Sequence, residues 1–329
     1  MRKVVKILAI VLAGLIVVCI LSFFIGSKNK NMIYGVSFNP EYASYLKLDP
    51  KIVFGAILDN WKFRHIRLSA QWNVIEKKQG QYDFSELDWL MNEAAKRNAK
   101  VVLAVGRKTP RWPECHLPEW VQGKKLDEYK QSLFDFISAV VQRYKMHPAL
   151  ELWQIENEPF LAFGACEPLP ENILKEELAL VKQIDSGRDI MVTDSGELSM
   201  WTRTAKVSDI FGTTMYRVVW SKWFGYWSYD WIMPPFAYRL KLWFNGRSLD
   251  KAYVSELQAE PWIPDMNLFD AKLDEQFKSM SLKQMEKNIN TAARTGMPRA
   301  YLWGAEWWYW LEKNGHGEFA NFVKELKKE

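Results

Sequence analysis

Asn157, Glu158 and Pro159 follow an apolar run in which Leu150, Leu152, Trp153 and Ile155 read as a buried strand. Proline lacks an N–H and ends the strand's pairing. A carboxyl at the mouth of a strand has a rigid base and a partly desolvated position, and Asn157 beside it can hold a hydroxyl. These are the needs of a general acid. A second carboxyl stands in a similar place in Val254-Ser-Glu-Leu-Gln-Ala-Glu-Pro-Trp262, where Glu256 comes directly off a strand and Glu260 lies in the loop after it. Cleaving a glycosidic bond with retention needs two carboxyls about 5–5.5 Å apart, one as acid/base and one as nucleophile. Glu158 is read as the first and Glu256 as the second. Glu260 is the competing nucleophile, or else binds a hydroxyl or holds the loop.

Setting two such groups face to face is a task for opposite strands of a narrow barrel. From residue 33 the chain alternates short apolar strands with amphipathic helices. Strands are expected at 33–38, 64–69, 100–105, 150–155, 189–193, 210–215, 252–255 and 299–303. A helix at 85–98 carries Leu87, Leu90, Met91 and Ala94 on one face. Another at 127–145 repeats the pattern with Leu133, Phe136, Ile137, Val140, Val141 and Tyr144. Further helices are expected at 50–60, at 171–186, at 281–295 with Gly296 as cap, and around Phe319, Phe322, Val323 and Leu326. Eight strand–helix units without a break in composition imply one α/β domain at 32–329, a single (β/α)8 TIM barrel. An open doubly wound sheet is the alternative, but no glycine-rich phosphate loop follows the first strand. In a barrel the working residues lie at the carboxyl ends of the strands.

Trp153-x-x-x-Asn157-Glu158-Pro159, with Arg67, Tyr216, Glu256 and Trp303 on other strand ends, resembles the clan A glycoside hydrolases. These are the large (β/α)8 group of retaining enzymes, and the likeness is to cellulase-like members of families five and forty-two. Trp72 to Glu76 and Gly80 to Phe84 are also similar to families forty-two and ten, where that region is mostly structural. The resemblance spans residues 33–326. It implies that Arg67 pairs with Glu256 and keeps it ionised, leaving Glu158 protonated. It also implies that Tyr216 donates to the nucleophile and that Trp303 is a platform under the sugar; Glu306, read from its position alone, is expected to be exposed to the same pocket and able to bind hydroxyls. From the residues alone, Arg67 needs some carboxylate, since a buried unpaired arginine is costly. Tyr216 can equally be a rim aromatic, and Trp303 a core residue. The third strand departs from the pattern: many members carry a histidine there, and this chain has Gly106-Arg107 and then Arg111-Trp112-Pro113-Glu114-Cys115-His116. His116 either fills that place from the loop, with Trp112 as a further substrate contact, or is simply exposed. Asp194 and Glu197 either line a subsite or cap a helix.

A net charge of +5, from 44 basic and 39 acidic residues, leaves no nucleic-acid footprint. Four histidines without His-x-His or His-Glu-x-x-His make a metal hydrolase a poor fit, and no strand as read ends in a lysine for Schiff-base chemistry. Neither metal nor cofactor is expected. The 17 tryptophans suit surfaces that stack on sugar rings. Trp220, Trp223, Trp227, Trp231 and Trp243 crowd one stretch, which reads as polysaccharide subsites, an interfacial patch on a bilayer, or core under a long loop. Residues 7–25 are apolar and uncharged and follow Arg2, Lys3 and Lys6, as in a segment that spans a lipid bilayer with its amino end in the cytoplasm. Residues 1–31 are therefore read as cytoplasmic end, transmembrane helix and stem, with the barrel on the extracytoplasmic side. The alternative is secretion after signal cleavage. Val18 before Cys19 is too large for a lipoprotein site. Cys115 and Cys166 fall in the loops after neighbouring strands and in an exported protein either pair or stay as free thiols. The expectation is a membrane-anchored retaining β-glycosidase acting on a β-linked oligo- or polysaccharide. A non-catalytic carbohydrate-binding barrel at the cell surface is the alternative.

Overall fold

The computed structural model describes residues 2–25, 32–264, 267–268 and 270–328. Eight parallel strands close a barrel: β1 (Ile33–Ser37), β2 (His65–Gln71), β3 (Lys100–Gly106), β4 (Leu150–Ile155), β5 (Ile190–Asp194), β6 (Ile210–Met215), β9 (Ala252–Gln258) and β10 (Arg299–Trp303). The order around it is β1-β10-β9-β6-β5-β4-β3-β2. An antiparallel hairpin, β7 (Val218–Ser221) and β8 (Gly225–Ser228), stands outside the barrel. The seventh and eighth barrel strands are therefore β9 and β10.

The strands are almost wholly buried because helices cover the barrel's outer face, so they read as apolar runs rather than alternations. The longer helices are α1 (Arg2–Ile25), α2 (Ser85–Lys96), α3 (Leu126–Tyr144), α4 (Glu171–Ile184), α5 (Pro235–Phe244), α6 (Leu282–Thr295) and α7 (Ala305–Lys313). The main core lies between strands and helices. A smaller cluster of Val102, Leu152, Met191, Ile210 and Tyr301 fills the barrel floor. The polar groups above that floor build the site.

Two boundaries differ from expectation in ways that move chemistry. β9 runs on to Gln258 because Leu257 is paired on both sides, with Met215 of β6 and Leu302 of β10. Glu256 thus sits within a strand rather than just past one, directly beside Thr214. Residues 305–313, for which the sequence suggests no element, form α7, and its Trp307 and Trp308 are fully buried.

Helix α1 has, in its most apolar 18-residue window, a mean hydropathy of 3.1, and none of that window is buried. Its 24 residues exceed the roughly 20 needed for a ~30 Å hydrocarbon layer. The helix fits either a signal anchor or a signal peptide. The stem expected at 27–31 lies outside the described residues.

Candidate active site

Arg67 joins the strands that carry the chemistry. It is 1% exposed in β2 and spends its planar fork on three acceptors. Nε donates to Gln154 Oε1, Nη1 to Glu256 Oε1 and Nη2 to Asn157 Oδ1, each at 2.8 Å. The other oxygen of Glu256 accepts from the Tyr216 hydroxyl at 2.9 Å. Burial, then the Glu256 charge, raises Tyr216 well above the usual phenol range, so it remains a donor. With both oxygens held, the Glu256 carboxylate has one orientation.

Glu158 is placed by strained backbone. Glu156 and Glu158 have φ of +58° and +43°, a left-handed conformation that side-chain-bearing residues seldom adopt and that clusters at functional sites. The Glu156 carboxylate accepts the N–H groups of Arg107 and Lys108, both at 2.8 Å, which ties the loop after β4 to the loop after β3. Only glycine fits at 106, where φ is +142° and a Cβ would overlap the Glu156 carboxyl. The Glu158 N–H donates to Thr193 Oγ1 at 3.0 Å, and Thr214 Oγ1 donates to Glu158 Oε1 at 3.2 Å. Burial lifts the Glu158 carboxyl well above the ordinary range, and Glu114 and Glu256 push it further, against a pull from Lys108.

Glu158 and Glu256 line one cleft of about 150 Å³ at the carboxyl ends of the strands, walled by Tyr216, Trp220 and Trp262. Tyr216 and Trp262 meet edge to face with centroids 5.4 Å apart. Such an arrangement can present a buried acid and a held carboxylate to a ligand flanked by aromatic faces.

Arg67 and Asn157 support the pair from behind without lining the cleft. The other expected residues lie elsewhere. Trp303 is 7% exposed, and the Arg111 guanidinium sits 4.2 Å from its ring centroid and 3.6 Å from that of Tyr42. Glu260 accepts from Trp303 Nε1 at 2.8 Å and pairs with Arg111, so Glu256, and not Glu260, faces the cleft. Glu306, expected to be exposed to the pocket, is fully buried in the first turn of α7. It accepts from the Asn39 N–H at 2.6 Å, faces Arg111 at 3.5 Å and is pushed up to about 7 by burial. Glu306, Asn39, Arg111 and Trp303 line, with Arg67, a separate cavity of about 10 Å³. His116 is buried against Gln71 and the Arg111 carbonyl, and burial lowers it to about 4. Trp112 is exposed and stacks edge-on against Phe163, which lines the cleft. Asp194 caps the turn that follows it, accepting from Ser195 N–H and Thr204 Oγ1, while Glu197 lines the cleft. Of the tryptophan-rich stretch, Trp220 reaches the cleft, while Trp223, Trp231 and Trp243 are more than two-thirds exposed and are not core.

Glu114 was missed from the sequence. It lines the cleft from the loop after β3, and burial, then Glu256, lifts it to about 7. Cys115 and Cys166 are disulfide-bonded, with Cα atoms 5.0 Å apart, which pins this loop to the one that carries Glu158. The signal was the position of Glu114 beside a cysteine with a candidate partner past the fourth strand. Lys108 was missed as well. It stands two residues beyond β3, fully buried, and its Nζ donates to the carbonyls of Glu158, Leu161 and Phe163 at 3.1–3.2 Å. Among the described residues no cluster of His, Cys, Asp and Glu is placed to hold a metal ion.

The model of glycoside hydrolase family 42, described as β-galactosidase, matches residues 57–168, which include Arg67, Asn157 and Glu158. β-Galactosidase Pbg of Clostridium perfringens is 28% identical over 156 residues, which are 41% of this chain and 22% of that protein. The match thus spans under a quarter of that relative's length. Among solved structures, GH5_18 of Bifidobacterium longum subsp. longum aligns with a TM-score of 0.60 at 10% identity, over 83% of this chain and 70% of that one. Xylanase 10B of Thermotoga petrophila aligns with a TM-score of 0.54 at 17% identity, over 83% and 82%. The likeness of the strand-end motifs to the clan A (β/α)8 glycoside hydrolases therefore extends to the fold of the whole barrel and to the family 42 sequence over its first half.

Proposed function

We propose that this chain is a membrane-anchored retaining β-glycoside hydrolase, with Glu256 as nucleophile and Glu158 as acid/base. One observation carries the reading: both glutamates line one cleft in opposite electrostatic settings. Glu256 is held by Arg67 and Tyr216, as suits a carboxylate that must be ionised to attack the anomeric carbon. Burial and like charges keep the proton on Glu158, as suits the group that must protonate the departing oxygen. In the second step Glu158 takes a proton from water as that water displaces Glu256 from the sugar. Helix α1, the basic residues Arg2, Lys3 and Lys6 at its amino end and the disulfide all fit a barrel held outside the cytoplasm.

The relatives are named as β-galactosidases, so aryl β-galactosides are the first substrates to assay, followed by β-linked polysaccharides. Glu256→Ala should abolish turnover. Glu158→Gln should abolish it on alkyl glycosides while sparing part of the rate on activated aryl glycosides, which need no proton on the leaving group. NMR of the first-formed product should show the β-anomer. Full hydrolysis by Glu256→Ala, or an α-anomeric first product, would refute the assignment. The placement of Arg111 over Trp303 favours a second reading, a barrel that binds sugar without turnover, because the face expected to stack on the sugar is covered. Saturable binding with no product after long incubation would establish it.

A further inference from the structure

The cleft has an unusual charge balance. Glu114, Glu158, Glu197 and Glu256 all line it, and no lysine, arginine or histidine among the described residues does. Three of the four carboxyls are accounted for. Glu256 is paired with Arg67, Glu158 is the acid, and Glu197 accepts from Tyr238 and faces Arg217 at 3.9 Å.

Glu114 is left over. It is 8% exposed, and its Oε2 accepts no hydrogen bond. The nearest cation is Lys108 Nζ at 3.7 Å, beyond hydrogen-bond distance. An ammonium has three N–H groups, and Lys108 spends its three on carbonyl oxygens. The Asn157 amide pulls the carboxyl down without closing a hydrogen bond, its Nδ2 being unpaired among the described residues, and burial and the Glu256 charge outweigh that pull. A buried carboxylate oxygen without a donor, at the wall of a ligand cleft, calls for a donor from the ligand.

We propose that the cleft selects a β-linked amino sugar with a free, unacylated ammonium group, and that Glu114 is the charge partner of that group. This rests on the glycosidase reading above and adds the substrate class. An ammonium supplies the donor that Oε2 lacks and, by its charge, favours the ionised form of the Glu114 carboxyl that burial and Glu256 disfavour. The faces of Trp220, Trp262 and Tyr216 attract a cation as well as a pyranose ring. A hydroxyl at the same position supplies a donor without the charge. An N-acetyl group puts a neutral amide and a methyl there, and a uronate brings a like charge.

The test uses the full chain in detergent micelles with matched aryl β-glycosides differing only at carbon 2: the glucosaminide, the glucoside and the N-acetylglucosaminide. The glucosaminide should exceed the glucoside at least tenfold in kcat/KM at a pH where its amine is protonated, with the N-acetyl compound lowest. Glu114→Gln should cut that ratio at least tenfold. Equal rates on the three, or a ratio unmoved by the substitution, overturns the amino-sugar inference and leaves the glycosidase reading intact. Hydrolysis of none of them, nor of any other β-glycoside, overturns the glycosidase reading. In that case tryptophan fluorescence titrated with β-1,4-linked glucosamine tetramer against cellotetraose decides the inference by itself. Preferential binding of the amine supports it, and equal or absent binding overturns it. Because the wild-type preference is read first, a Glu114 variant that fails to fold does not remove the test.

Discussion

Replacing Arg67 by methionine fills much of the same volume while removing every donor, so it isolates the arginine's polar role. The cost follows from which acceptors lose their last partner. Asn157 Oδ1 keeps hydrogen bonds from Gln154 and Thr193, both at 3.2 Å. Among the described residues Gln154 Oε1 and Glu256 Oε1 accept only from the arginine, and both residues are at most 2% exposed. An orphaned buried acceptor costs about 1–3 kcal/mol, and more when charged. Removing one member of a buried ion pair costs about 3–5 kcal/mol. The expected loss is therefore about 3–5 kcal/mol, a rise of roughly 10²–10⁴ in the unfolding constant and a melting point lower by about 5–8 °C for a domain of this size. Denaturant unfolding in detergent, followed by tryptophan fluorescence, measures it. The companion variant Glu256→Gln removes the charge that Arg67 balances, and the double variant should cost at least about 1.5 kcal/mol less than the two singles combined, as expected for residues in one network. A loss under about 1 kcal/mol for Arg67→Met, or strict additivity in the double variant, would refute the account of Arg67 as the link between β2, β4 and β9.

Three further outcomes are expected. Removing the Glu114 charge with Glu114→Gln takes away a like charge that raises Glu158, so the Glu158 pKa falls; since the acid must be protonated to work, the alkaline limb of the kcat/KM profile should move to lower pH, and an unmoved limb would show that the two carboxyls do not interact. Cys115 and Cys166 close a separation of 51 residues, for which chain entropy gives about 4 kcal/mol, so the Cys115→Ser/Cys166→Ser double variant should unfold at lower denaturant and lose the wild type's sensitivity to reductant. Glu177 of α4 is fully buried with neither oxygen hydrogen-bonded, and burial, then Glu156, raises it well above the ordinary range. Its folded pKa lies above the unfolded one near 4.3, so the folded chain holds a proton that the unfolded chain releases, and stability should fall by up to about 1.4 kcal/mol per pH unit from there up to the folded pKa. Glu177→Gln should flatten that slope, and parallel curves for the two proteins between pH 4.5 and 8 would contradict the reading.

The barrel could be read from the sequence because its strands carry a local signal. Runs such as Val101 to Val105 are apolar throughout, and the helices between them repeat at 3.6 residues, as with Leu133, Phe136, Ile137, Val140 and Val141. That Arg67 needs a carboxylate was legible from the cost of an unpaired buried arginine, but its pairing with Glu256 and the Tyr216 hydrogen bond came from the resemblance to clan A enzymes, since the residues alone left both open. Helix α7 was not legible: Trp307, Trp308, Tyr309 and Trp310 leave no polar stripe to mark a helix face. Arg111 was missed for a different reason. It reaches Trp303 and Tyr42 from a loop at φ +98°, and neither that backbone geometry nor the reach of a long side chain is written in a local pattern. Glu114 shares this limit, because its loop is tied down by the Cys115–Cys166 disulfide and by backbone pairings such as Ala165 N–H to the Pro113 carbonyl, none of them written in a local pattern.

The two candidate catalytic carboxyls are supported in different ways, and this bears on how their roles stay distinct. Glu256 is set by strands: Arg67 of β2 and the register of β6 against β9 hold it whatever the loops do. Glu158 is set by loops: Glu156 bridges to Arg107 and Lys108, Gly106 makes room for it, and Lys108 draws in the carbonyls of Glu158, Leu161 and Phe163. Lys108 gives its protons to carbonyl oxygens rather than to a carboxylate, so a buried positive charge stands in the site while Glu158 accepts only from the neutral hydroxyl of Thr214. An ion pair from Lys108 to Glu158 would favour the ionised form and remove the acid. Spending the lysine on the backbone shapes the loop and leaves the raised carboxyl raised, and of the two candidate carboxyls it is Glu256, the proposed nucleophile, that pairs directly with an arginine.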